Sequence, residues 1–156
     1  MRIAIGSDHR GYQLKSKIVV KLEADGHEVD DVGTMGSESV DYPDYASIVG
    51  KKISLHEADR GILVCGTGIG MAIAANKISG VRAATCWDEL TAEMSRRHND
   101  VNVLCLSADM LGERLIDRLV DVWIKTEFEG GRHARRVEKI GEIEETSGGC
   151  KSPTGS

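Results

Sequence analysis

Long apolar runs are missing from this 156-residue chain: no stretch approaches the roughly 18 apolar residues that a membrane-spanning helix needs. The opening Met1-Arg2-Ile3-Ala4-Ile5-Gly6-Ser7-Asp8-His9 meets charge before an apolar run reaches signal-peptide length, so a cytoplasmic protein is expected. A C-x-x-C pair is absent too. The four cysteines, Cys65, Cys86, Cys105 and Cys150, lie far apart, which argues against a disulfide framework and against a zinc site. Surplus positive charge is also lacking. At a formal net charge of -5 the chain has no general attraction for nucleic acid or an acidic membrane, since such binding rests on clustered Lys and Arg neutralising phosphates. The one basic cluster, Arg132 to Arg136, is sized for a small anion. No internal repeat or second domain is visible, and 40% hydrophobic residues suit a single domain over residues 1–145. The segment 146–156, with almost nothing to bury, is expected to be a flexible tail.

What is present is an alternation of short apolar runs with longer stretches of helical period, the pattern of a parallel α/β sheet. Strands are expected at Arg2–Gly6, Glu28–Val32, Gly61–Cys65, Val81–Cys86 and Val101–Leu106. Tyr12, Leu14, Ile18, Val19 and Leu22 make the apolar face of a first helix that Gly26 can end, with Lys15, Lys17, Lys21 and Glu23 on its wet side. A second helix should start near Asp41-Tyr42-Pro43-Asp44, with Asp as N-cap and Pro in the first turn. A third follows Gly70, and a fourth runs from about Asp88 to His98. Leu111, Leu115, Leu119, Val122 and Trp123, interleaved with charge, give a fifth, and a sixth from about Arg132 carries Val137, Ile140 and Ile143.

Ligands of an open parallel sheet bind at the carboxyl ends of its strands. Gly6-Ser7-Asp8-His9, Cys65-Gly66-Thr67-Gly68-Ile69-Gly70 and the His98-Asn99-Asp100 turn are expected there, and the glycines of the second let backbone N–H groups converge on an anion or a developing oxyanion. A nucleotide P-loop would continue Gly-Lys-Ser/Thr, whereas this loop continues Met71-Ala72-Ile73. A dinucleotide fingerprint would place its third glycine at Met71, and a phosphatase-like cysteine loop needs an arginine long before Arg82. Cys86 and Cys105 read as buried structural thiols. Cys65 differs, because a glycine loop and a helix start follow it at once, a setting that favours the thiolate. Such a thiolate could take a proton from carbon while neighbouring amides stabilise the enediolate.

His27 and His56 sit among turn and charged residues and read as solvated. His9, His98 and His133 each fall at an element end, where an imidazole can act as acid or ligand contact. Arg132 and Arg136, four apart in a first helical turn, oppose the macrodipole unless an anion binds there.

Gly6-Ser7-Asp8-His9-Arg10-Gly11, Asp41-Tyr42-Pro43, the Cys65–Gly70 loop with Ala74-Ala75-Asn76-Lys77, Ser95-Arg96-Arg97-His98-Asn99-Asp100, and Gly130-Gly131-Arg132-His133 with Arg136 stand in one order and spacing. Together they resemble the type B ribose-5-phosphate isomerases, a family that includes the galactose-6-phosphate isomerase subunits, from Met1 to about Glu145. The resemblance implies a Rossmann-like three-layer α/β/α sandwich around a mainly parallel five-stranded sheet. It also implies a homodimer with active sites between subunits, leaving open whether dimers pair into tetramers, and interconversion of ribose 5-phosphate and ribulose 5-phosphate without metal or cofactor. Under it Cys65 is the base, assisted by Thr67, with the Gly66, Gly68, Ile69 and Gly70 backbone as anion hole. His98 opens the sugar ring, Asp8 handles hydroxyl protons, and Tyr42 and Asn99 line the pocket. His9, Arg132 and Arg136 hold the phosphate, the arginines from the partner chain. Some relatives use a Glu after the loop as base; Met71 occupies that neighbourhood here.

One departure from the family pattern is Ser107-Ala108-Asp109, where an arginine that supports phosphate binding is common. Arg10 or Arg135 is left to compensate. The alternatives are a six-carbon phosphosugar or other aldose as substrate, or a sugar-phosphate-binding module without catalysis.

Overall fold

The computed structural model describes residues 1–147. Five strands, β1 (Arg2–Ser7), β2 (Glu28–Gly33), β3 (Arg60–Cys65), β4 (Ala83–Thr85) and β5 (Val103–Ser107), form one sheet in the order β2-β1-β3-β5-β4. Every pairing is parallel. Six helices alternate with them: α1 (Tyr12–Ala24), α2 (Tyr42–Ser54), α3 (Ile69–Ala75), α4 (Glu89–Asn99), α5 (Glu113–Lys125) and α6 (Arg132–Ser147). The expected α/β sandwich is thus observed. Because successive side chains of a strand point to opposite faces, each central strand feeds two cores. Ile3, Ile5, Ile62, Val64, Leu104 and Leu106 pack against α1 and α5, whereas Ala4, Leu63, Val103 and Cys105 pack against α2 and α3.

Several boundaries and environments differ from the sequence expectation. β4 is short because the Arg82 amide donates to the Asn102 side chain, 2.8 Å, rather than to a neighbouring strand. On its outer side, Asn76 donates to the Ala83 carbonyl and accepts from the Ala83 amide, each at 2.8 Å, standing in for a missing strand. Gly26 ends α1 as expected, at φ +85°, with the His27 amide bonding Leu22 O and the Gly26 amide bonding Glu23 O. Asp41 occupies the N-cap position of α2, yet its side chain makes no capping bond. Asp88 does cap α4, and Thr91 completes a reciprocal box.

Lys15 is the main correction: far from lying on the wet side of α1, it is fully buried and paired with Asp31 of β2. Its apolar stem fills the space between helix and sheet while the ammonium meets a carboxylate. The buried face of α5 runs through Ile116, Leu119, Val120, Trp123 and Ile124, so it includes the expected Leu119 and Trp123 and leaves Leu115 half-buried. α6 continues through Ser147, taking in the first two residues of the expected tail; the remainder, with Cys150, lies outside the described residues. Among the described residues no helix is long and apolar enough to cross a membrane.

Candidate functional site

Strand order locates the crevice. The chain moves from β1 outward to β2, then returns to place β3 on the other side of β1, so the helices after these strands diverge to opposite faces. Such a switch point leaves an opening between the carboxyl ends of β1 and β3. Asp8-His9 leaves β1 there and Cys65-Gly66-Thr67-Gly68 leaves β3.

The first loop is folded onto the second. Asp8 is buried, and its Oδ1 accepts from the amides of Arg10 and Gly11, both at 3.0 Å, closing a tight turn. Its own amide donates to Val64 O, 3.2 Å. A Cβ on Gly11 would stand 2.5 Å from that same carbonyl oxygen, so only glycine lets the turn lie this close to β3. Half-buried His9 accepts at Nδ1 from the Val40 amide, 3.2 Å, which in the neutral ring places the proton on Nε2 as a donor.

In the second loop, Cys65 is 5% exposed and its Sγ accepts from the Gly68 amide at 3.1 Å. That bond requires the loop to curl back over the sulfur, which Gly68 allows at φ +77°. The Gly68 carbonyl is held by Thr85 Oγ1, 3.0 Å, and the Ile69 amide by Thr67 Oγ1, 3.2 Å. Among the described residues the amides of Thr67 and Gly70 find no protein acceptor. Tyr42, 41% exposed, lays its ring against Gly70, where a Cβ would come within 2.7 Å of it. A hydrogen-bonded, sparsely exposed sulfur beside free main-chain donors is suited to proton transfer next to a developing oxyanion. Cys86 and Cys105 lie deeper; burial raises both thiol pKa values, that of Cys105 well above the ordinary, which leaves them protonated and inert.

The His98-Asn99-Asp100 turn, expected at this carboxyl edge, lies instead at the amino end of β5, and Arg132 and Arg136 are near it. His98 and Asn99 end α4 just before β5 begins, whereas Cys65 pairs with Ser107 where β5 stops. Four strand steps at about 3.3 Å separate the two levels by roughly 13 Å within one chain. Around His98 the fold builds a second cluster that the sequence did not reveal. His133 of α6 stacks on His98 with ring centroids 4.1 Å apart, and both Nε2 atoms approach Glu129 Oε2, at 3.6 and 3.7 Å. Arg97 takes the other oxygen of Glu129 at 3.1 Å, which holds that carboxyl below its usual pKa. The His133 pKa is lowered as well, by burial and by the charge of His98, Arg132 and Arg136, despite Glu129. These three ligand-type groups lie within 4.8 Å of one another, but the flanking arginines make the setting one for anions rather than for a metal ion. Arg132 and Arg136 are exposed beside it.

The sequence pattern singles out Arg10 and Ser107-Ala108-Asp109, but it assigns Ser107 no role and does not show that Arg10 and Asp109 meet. The structure sets all three at the glycine loop: Ser107 Oγ donates to Gly66 O at 2.7 Å, and Arg10 pairs with Asp109 above Gly66. The signal available was position alone, since β1 and β5 both end there.

The strand order, with the glycine loop and its cysteine at the switch point, defines a doubly wound α/β protein. Residues 3–140 match the Ribose/Galactose Isomerase family, and the chain belongs to it. It is 49% identical over 144 residues to ribose-5-phosphate isomerase B of Escherichia coli, covering 92% of this chain and 97% of that one. Among solved structures, ribose-5-phosphate isomerase B of Clostridium thermocellum superposes with a TM-score of 0.93 at 54% identity, over 94% of this chain and 99% of its own. Ribose-5-phosphate isomerase B of Mycoplasma genitalium, solved with bound ribulose-5-phosphate, does so with a TM-score of 0.89 at 42% identity, over 92% and 96%.

Proposed function

We propose that this protein is an aldose–ketose isomerase that interconverts ribose 5-phosphate and ribulose 5-phosphate through an enediolate, in the cytoplasm and as a homodimer. Residues 1–145 are its catalytic unit, needing no metal or cofactor. The observation that carries the reading is the Cys65 sulfur under the Gly68 amide at the switch point, with the free amides of Thr67 and Gly70 beside it. The Cys65 thiolate takes the proton from C2 of the open-chain aldose. The C2–H electron pair forms the C1–C2 double bond, and the C1 carbonyl pair moves onto oxygen. The backbone of Gly66, Thr67, Gly68, Ile69 and Gly70 surrounds that charge. The thiol then returns the proton to C1, while Asp8 passes the O2 hydroxyl proton to O1 through the carboxylate oxygen not used in its turn. Thr67 assists the sulfur and Tyr42 forms one wall. His98 opens the ring, Asn99 binds hydroxyls, and His9, Arg132 and Arg136 hold the phosphate.

One chain cannot gather these groups, because His98, Asn99, Arg132 and Arg136 sit a strand length from Cys65. A two-fold dimer in which each chain lends its α4–α6 corner to the other's crevice resolves this. The test is turnover of ribose 5-phosphate, followed by mixing of two inactive variants. Cys65→Ala and His98→Ala chains, unfolded and refolded together in equal amounts, form hybrids with one intact site of two. About a quarter of the unaltered specific activity should return in a two-fold dimer. If the mixture stays inactive while each variant folds and dimerises, the shared site is wrong. If the unaltered enzyme prefers a six-carbon phosphosugar when kcat/KM values are ranked, the substrate assignment is wrong.

A further inference from the structure

The crevice holds a cation whose charge is only half used. Arg10, 60% exposed at its side chain, touches Asp109 Oδ2 through a single terminal nitrogen, and among the described residues its guanidinium has no other protein acceptor. A guanidinium carries five donors in a planar fork that matches carboxylates and phosphates, so most of this one is open to a ligand.

The pair is also a built part of the site. A Cβ on Gly66, the residue after Cys65, would stand 2.8 Å from Asp109 Oδ2 and 3.1 Å from Arg10 Nε, so the two side chains lie directly over the glycine loop. Each is anchored through its backbone. The Arg10 amide is fixed by Asp8, and the 107–110 turn is stitched to the loop by Ala108 N to Cys65 O, 2.9 Å, and Asp109 N to Gly66 O, 3.1 Å. Ser107 Oγ reinforces this by donating to Gly66 O and accepting from the Met110 amide. An ion pair this exposed contributes little to stability, which leaves its placement unexplained by folding alone.

Resting on the phosphosugar reading above, we propose that Arg10 receives the phosphate end of the substrate and that Asp109 is a resident anion the phosphate displaces. Both anions compete for one guanidinium fork, and they repel each other at contact range. Arg10 therefore favours phosphorylated over unphosphorylated sugar, and Asp109 sets how much of that preference is expressed. The two residues should act in opposite directions, which a purely structural pair would not do.

The experiment compares kcat/KM for ribose 5-phosphate with that for D-ribose, and measures competition by inorganic phosphate, in the unaltered enzyme, Arg10→Ala, Arg10→Lys and Asp109→Asn. Loss of a charged contact should cut the phosphate preference of Arg10→Ala by about tenfold and weaken inorganic phosphate as an inhibitor to match. Arg10→Lys, with charge but no fork, should fall between. Asp109→Asn should raise the preference about threefold, the scale of an exposed ion pair removed. Melting temperatures should stay together throughout. A preference within about twofold of the unaltered enzyme in Arg10→Ala, or a shift of the same sign in Arg10→Ala and Asp109→Asn, overturns the proposal. If the unaltered protein turns over neither sugar, the isomerase reading fails by itself. Calorimetric titration with inorganic phosphate then decides the role of Arg10, whose loss must still weaken binding.

Discussion

Arginine does opposite work at the two edges of the sheet. At the amino edge, Arg60 is buried beside Trp123 and donates to the carbonyls of Trp123 and Ile124, both at 2.8 Å, closing the end of α5. Arg96, also buried, bonds Val101 O at 2.6 Å and Thr126 O at 3.2 Å. Crowding with Arg96 adds to burial in lowering the Arg60 pKa to about 10, so it remains charged at neutral pH. At the carboxyl edge, Arg10 has one partner and open donors. Arginines whose partners the chain supplies are fastenings, and those left half-bonded are available to a ligand. The same contrast separates Cys105, sealed in the core, from Cys65, whose Sγ at the carboxyl edge accepts from the Gly68 amide.

The largest effect that would test the contrast is at the carboxyl edge. Cys65→Ser should lower kcat/KM for ribose 5-phosphate by about 10²–10⁴-fold, the usual worth of a general base, while leaving the melting temperature near that of the parent. Comparable loss on Cys105→Ser without unfolding would erase the distinction between the two sulfurs.

At the amino edge the sign of the experiment reverses. Arg60→Leu removes charged hydrogen bonds to three carbonyls at the end of α5 and should cost about 2–3 kcal/mol in a urea titration. Its kcat should match the parent under conditions where the variant is folded. A variant as stable as the parent would show that water replaces these bonds.

The smallest effect belongs to the His98–His133 stack. His133 binds its proton less readily folded than unfolded, so the unfolded chain holds more protons in the window below the ordinary histidine value of 6.5. Stability should therefore fall as pH drops through that window and level off beneath the folded pKa. His133→Gln should flatten this slope; an unchanged slope assigns it to another group.

The sequence made legible what is contiguous or periodic. Cys65 to Gly70 and Asp8 to Gly11 are unbroken runs whose chemistry and backbone needs are written side by side, and the apolar rhythm of β1, β3 and α5 sets the layers. Lys15 was misplaced because helical period counts it as polar, and its partner Asp31 is on another element. β4 was read too long because only the fold brings Asn102 to the Arg82 amide. The gap between Cys65 and His98 follows from strand order, which no local pattern encodes. The His98–Glu129–His133 cluster likewise joins two helices and a loop.

The bond pair between Asn76 and Ala83 has a consequence for solubility. A terminal strand with bare amides and carbonyls is a template onto which a foreign strand can zip, the first step toward intermolecular aggregation. By satisfying both groups of Ala83 with one carboxamide, the protein blunts that template without extending the sheet.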